Sequence, residues 1–172
     1  MFKNVTPFSL LIFSLVLFVA SACGDDTYYY ENDYSDVPDL ADTTSAISKT
    51  TTDDGIIIYV IEEGDTTDLQ VGMRDLLGVY CTTRYADTEQ YQGEDAIVQS
   101  TYANGITTSY AITTAGGSAS SSTTCYEYAP SYFADGILGM YTGGHRVLYF
   151  PDSLTALSSD LVIDFELEAI QY

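Results

Sequence analysis

Asp135 to Tyr172 reads DGILGMYTGGHRVLYFPDSLTALSSDLVIDFELEAIQY, and this stretch decides the fold. It begins as the end of a short helix, passes a Gly143-Gly144 turn into a strand, and turns again around Pro151. The closing segment, Leu161 to Ile170, alternates: Leu161, Ile163, Phe165 and Leu167 are apolar, and Asp164, Glu166 and Glu168 between them are acidic. Val162 is the exception. Successive strand residues point to opposite faces, so the pattern predicts one face in a core and the other in water. Acids along the outer face are expected to discourage pairing with other chains.

Further upstream, the folded domain is expected to begin at Gly55. Gly55 to Glu63 is β-branched and strand-like, and Gly64-Asp65 ends it. A turn at Val71 to Asp75 leads into a second strand, Leu76 to Tyr85. Ala86 to Asp95 is polar and reads as a loop. Ala96 to Tyr102 and Ile106 to Thr113 flank Asn104-Gly105, a dipeptide that favours a two-residue hairpin turn. Gly116 to Thr124 is a Gly/Ser/Thr loop. Pro130 can start a short helix over Ser131 to Leu138, which Gly139 ends. The strands Arg146 to Phe150 and Leu161 to Ile170 complete an α+β domain, an antiparallel sheet of about five strands wrapped on one short helix.

The first residues lie outside that domain. Lys3 is followed by an apolar run, Phe8 to Ala20, too short to span a bilayer, so residues 1–22 read as a signal peptide. Ala20-Ser21-Ala22 before Cys23 resembles a bacterial lipobox, in which the cysteine is lipidated. An ordinary secretory signal with an incidental cysteine is the other reading. Residues 23–54 carry many acids, Tyr28-Tyr29-Tyr30 and a Ser/Thr-rich run with few aliphatics, which predicts a solvated tether. Its opening, Cys23-Gly24-Asp25-Asp26, fits either a surface-sorting signal of double-membraned bacteria or a plain spacer. The address is therefore the bacterial cell envelope, lipid-anchored at the outer membrane or cell surface.

The chain has 25 acidic residues against 5 Lys and Arg, a formal charge of −20. Cleavage before Cys23 removes Lys3 and no acid, which moves it to −21. Such a surface repels nucleic acid and anionic headgroups. Membrane attachment would come from acyl chains. Cys81 and Cys125 remain as an even pair in an exported protein, either a disulfide across a long loop or two buried thiols.

Gly136-Ile-Leu-Gly-Met140, Gly143-Gly144-His145-Arg146-Val-Leu-Tyr-Phe-Pro151 and Leu161-Val-Ile-Asp-Phe-Glu-Leu167 resemble, in order, three segments of FKBP-type peptidyl-prolyl isomerases. Asp54-Gly55-Ile-Ile-Ile-Tyr and Glu63-Gly64-Asp65 resemble the family's opening strand and turn. The resemblance implies an FKBP-like domain over residues 55–172. It also implies an aromatic pocket that desolvates an X–Pro carbonyl and favours the twisted amide, lowering a barrier of ~20 kcal/mol without a nucleophile. Tyr80 stands for the pocket tyrosine and Phe133 for the pocket-floor tryptophan, in a chain without tryptophan. Tyr91, in Gln90-Tyr91-Gln92, and Tyr110 are further wall candidates, and Ile163 replaces the terminal-strand aromatic. The family's aspartate beside Tyr91 is absent, the Val-Ile pair falls on Ala129-Pro130, and Leu154 to Ser158 replaces the Ala-Tyr-Gly loop.

No catalytic residue, metal ligand or cofactor is therefore assigned. His145, the single histidine, reads as a surface turn residue, since no Cys or carboxylate stands at ligand spacing. Arg146 is expected to pair with an acid, and Asp164 and Glu166 to be solvated. Ser118 to Ser122 lacks a nucleophile elbow. Sixteen tyrosines read chiefly as packing residues, with an exposed patch for a partner as the alternative. Two functions remain: an exported isomerase or foldase acting on proline-containing polypeptides, or a non-catalytic FKBP-like lipoprotein that binds an envelope protein or other partner.

Overall fold

The computed structural model describes residues 31–114 and 132–171. The expected signal peptide, Cys23, the Gly116 to Thr124 loop, Cys125 and Pro130 lie outside them. The strands are β1 (Ser48–Thr51), β2 (Ile57–Glu62), β3 (Leu76–Tyr85), β4 (Ile97–Ser100), β5 (Tyr110–Thr113), β6 (His145–Phe150) and β7 (Leu161–Gln171). Among the described residues there is one α-helix, α1 (Phe133–Ile137). β3 has the bounds the sequence predicts, and β7 runs one residue longer than predicted.

All seven strands pair antiparallel in one sheet, in the order β1-β2-β6-β7-β3-β4, with β5 also on β3. β7 is therefore central. Its acids do not guard an edge; they lie on the outer face of the sheet's middle. The predicted hairpin around Asn104-Gly105 does not form. β7 occupies one edge of the ten-residue β3 along its whole length. The other edge takes two short strands end to end: β5 along Leu76 to Val79 and β4 along Thr82 to Arg84. Asn104 and Gly105 do adopt the positive φ that such a turn would use, 62° and 68°, but within a 3-10 turn (Ala103–Gly105).

Alternation sorts β3 and β7 into two faces. Val79, Cys81 and Thr83 lie opposite Leu167, Phe165 and Ile163 on the inner face, and all six are buried. α1 covers this face, and Phe133 and Ile137 join Leu148, Phe150, Ile163 and Phe165 in one apolar cluster. Close approach explains Gly136: a Cβ there would come within 2.7 Å of Leu148 Cδ1. Arg146, on β6, donates from Nη1 to the carbonyls of Gly136 (2.8 Å) and Leu138 (3.2 Å). It thus satisfies the free carbonyl end of α1 rather than pairing with an acid as expected.

Residues from Asn32 to Thr51, expected to be a solvated tether, belong to the folded unit that starts at Asn32. β1 adds a strand to the sheet by pairing with β2. Before it, the chain crosses the outer face as a strap. The Asp33 N–H and carbonyl bond the Asn104 side chain and N–H, and the Ala41 N–H donates to Asp164 Oδ2 at 3.0 Å. Arg84 Nη2 donates to the Pro38 carbonyl. Composition failed here because the strap buries little of itself; it satisfies backbone groups against side chains of the sheet.

Candidate functional site

The pocket expected from the sequence needs aromatic walls to converge where α1 meets the sheet. Phe133 is in that position. It opens α1 and packs edge-on against Phe165, with centroids 5.4 Å apart and planes at 71°. Ile163 lies on the same face, in register with Thr83 and Leu148. Both are sealed, Phe133 at 3% and Ile163 at 0% exposure, and they serve as core.

Tyr80 does not join them. It is in register with Glu166 on the outer face, where its ring stacks on Tyr102 at 5.3 Å. Its hydroxyl donates to the Thr107 carbonyl at 3.0 Å. The β3 residue opposite Ile163 is Thr83, an odd number of positions from Tyr80, and odd steps along a strand reverse the face. Tyr91 lies elsewhere again, stacked on Tyr85 with centroids 4.1 Å apart. Tyr110 opens β5 opposite Val79. Cys81 is disulfide-bonded on the inner face.

The outer face holds the polar constellation. His145 Nε2 bonds Asp164 Oδ1, so neither residue is the solvated group expected from the sequence. Burial works against charge on this imidazole. The hydrogen bond to Asp164 and the nearby Asp164, Glu166 and Glu62 charges outweigh it, and the His145 pKa rises above 6.5. Tyr102 Oη donates to Glu166 at 3.4 Å, and burial, then Glu166, holds its hydroxyl protonated well above the usual range. Glu62, Tyr80, Gly143, Gly144, His145 and Glu166 border a shallow polar cleft of about 360 Å³. Among the described residues, no group of three or more His, Cys, Asp or Glu is arranged to hold a metal ion.

A larger concavity, about 600 Å³, lies between the strap and the β3–β4 edge. Tyr34, Pro38, Arg84, Tyr85, Tyr91 and Val162 are among its walls. Arg84 sits in register with Val162 on one side and Ile97 on the other. Burial lowers its pKa, and the charges of Asp164 and Asp39 pull it back up. Sequence reasoning missed the strap and Arg84. The only signal was a lone cation within an otherwise uncharged strand, in a chain with 5 Lys and Arg.

No family model matches the chain, and no curated protein is significantly similar to it. Solved structures are similar in fold. FkpA from Escherichia coli superposes with a TM-score of 0.52 at 17% identity, covering 72% of this chain and 51% of that one. This chain thus spans about half the length of FkpA. The N-terminal domain of FKBP42 from Arabidopsis thaliana gives 0.53 at 11% identity, over 79% of this chain and 98% of that one. AtFKBP13 gives 0.51 at 14%, over 72% and 99%. At these identities the likeness is one of fold, and the chain has an FKBP-like α+β fold.

Proposed function

We propose that this chain is an exported, lipid-anchored FKBP-like module of the cell envelope that binds polypeptide without accelerating prolyl isomerisation. One observation carries the reading. The apolar residues that would wall a helix-side pocket, Phe133 and Ile163, are 3% and 0% exposed, while Tyr80 lies on the opposite face in register with Glu166. Desolvating and twisting an X–Pro amide needs an open, dry aromatic cleft, and these residues are committed to the core. The lipid anchor rests on the Ala20-Ser21-Ala22-Cys23 pattern.

The test is a proline-peptide isomerisation assay on the soluble chain 24–172. The expected rate equals the uncatalysed one; a clear acceleration overturns the non-catalytic reading. The second reading, an isomerase or foldase acting on proline-containing polypeptides, is favoured by one feature, the aromatic Phe133 at the start of α1 facing the sheet. In that case Phe133→Leu lowers the measured acceleration. For the anchor, fatty-acid labelling is expected in the full chain and absent from Cys23→Ser; equal labelling of both refutes lipidation at Cys23.

A further inference from the structure

The groove beneath the strap is lined by Tyr34, Val37, Pro38 and Leu40 from the strap and Ile97 and Val162 from the sheet, with Tyr85 and Tyr91 stacked at one side. Its volume, about 600 Å³, falls in the ~300–1,000 Å³ range of ligand sites. Its face is opposite the one covered by α1, so it is not the helix-side pocket. The one cation among its walls is Arg84. Nη2 of Arg84 donates to the carbonyl of Pro38. Nη1 is buried and has no hydrogen-bond partner among the described residues. A buried donor left unpaired is destabilising, more so for a charged group, so a partner that supplies an acceptor recovers energy the free chain forgoes.

We infer that this groove receives an extended, non-acidic polypeptide segment, one of whose backbone carbonyls accepts a hydrogen bond from Arg84 Nη1. The strap shows the mode of recognition. It is itself a proline-containing segment without regular secondary structure from Val37 to Asp42, and its Pro38 carbonyl takes one arm of the guanidinium. The fork is planar, so the second arm suits a second carbonyl alongside the first. Tyrosine walls supply large rigid contact area with polar edges, as peptide-binding surfaces do. Charge narrows the partner: Asp39 and Glu94 line the groove, and the chain carries −20, so an acidic segment is repelled. Because Nη1 is closed off from solvent, the incoming carbonyl reaches it as the strap shifts. At this place the strap is held by Arg84 and by the Asp164 carboxylate. The inference rests on the polypeptide-binding reading above and adds the place and chemistry of binding.

The test measures fluorescence anisotropy of a labelled, acetylated and amidated nonapeptide of Val, Tyr, Pro and Asn on chain 24–172. A second peptide has Glu in place of Asn. Ala96→Trp fills the groove, and Thr88→Trp obstructs its exposed rim; circular dichroism confirms that each variant is folded, and either one alone suffices. The expected result is binding of the neutral peptide, weakened at least tenfold for the Glu peptide and in both variants. Binding of the neutral peptide that neither variant weakens overturns the groove assignment and leaves the polypeptide reading standing. Equal binding of the Glu peptide overturns the stated chemistry. No binding of any peptide to the unaltered chain overturns the polypeptide reading, and this inference with it.

Discussion

Gly136→Ala tests how closely the helix presses on the sheet. An ideal Cβ at Gly136 would lie 2.7 Å and 3.0 Å from the two δ-carbons of Leu148 and 3.4 Å from its γ-carbon. Comfortable carbon–carbon contact is about 3.5–4.0 Å. Leu148 is fully buried, so it cannot swing into solvent, and overpacking of this kind costs ~1–3 kcal/mol. Against this, alanine is favoured over glycine inside a helix by ~0.5–1 kcal/mol. The steric term wins, and the expected net loss is ~1–2 kcal/mol. Leu148→Ala alone costs ~2–5 kcal/mol by leaving a cavity. Added to that background, Gly136→Ala places its methyl in the vacated space and is expected to be neutral or stabilising. The sign of the glycine substitution therefore reverses between backgrounds, a coupling that a double-mutant cycle isolates. The assay is urea unfolding of chain 24–172 without reductant, comparing midpoints at constant m. If Gly136→Ala is as stable as the unaltered chain, or if its effect has the same sign in both backgrounds, the contact between α1 and β6 is not the constraint argued above.

Three further outcomes follow from the geometry. The His145 pKa is raised in the folded state, so its stabilising contribution is complete below the ordinary value of 6.5 and is lost as pH rises through the higher folded value. The stability difference between the unaltered chain and His145→Gln should therefore grow as pH falls from 8 to 6 (~pH values bracketing the histidine range); a difference independent of pH would refute the coupling to Asp164. Deleting residues 24–51 removes β1 and the strap bonds to Arg84 and Asp164. At a net ~0.5–1.5 kcal/mol per hydrogen bond, the truncated chain is expected to lose several kcal/mol in urea unfolding, and an unchanged midpoint would show the strap to be passive. Cys81 is disulfide-bonded, and Cys125 is the partner expected from the sequence. Non-reduced peptide mapping of chain 24–172 should recover Cys81 joined to Cys125, and free-thiol labelling at both in the unfolded, non-reduced chain would refute it.

Much of the scaffold was legible locally. β-branched content and period-two alternation carry β2, β3 and β7 because a strand's two faces impose that pattern on consecutive residues. The Gly143-Gly144 turn, and Gly139 with its φ of +75° at the end of α1, are equally local demands. The candidate site was not legible in the same way. Tyr80 and Ile163 each read plausibly as pocket residues, yet a single odd step in the alignment of β3 puts them on opposite faces. Arg146 and His145 read as ordinary turn and strand residues, because their partners lie 8 to 19 positions away.

From its own order of residues, the chain determines the strand character of β2, β3 and β7, where α1 sits among the strands, and that acidic side chains alternate with apolar ones along β7. Those are properties of neighbours, and local sterics and burial period suffice to set them. Only the tertiary structure decides what each face meets. Pairing register across β3, β6 and β7 assigns Tyr80, His145, Asp164 and Arg84 to the outer face and seals Phe133 and Ile163 within the inner one. The Ala41 to Asp164 bond spans 123 positions and the Arg84 to Pro38 bond 46. Contacts of that reach leave no period in the sequence, so the strap and the groove beneath it exist only once the sheet has assembled.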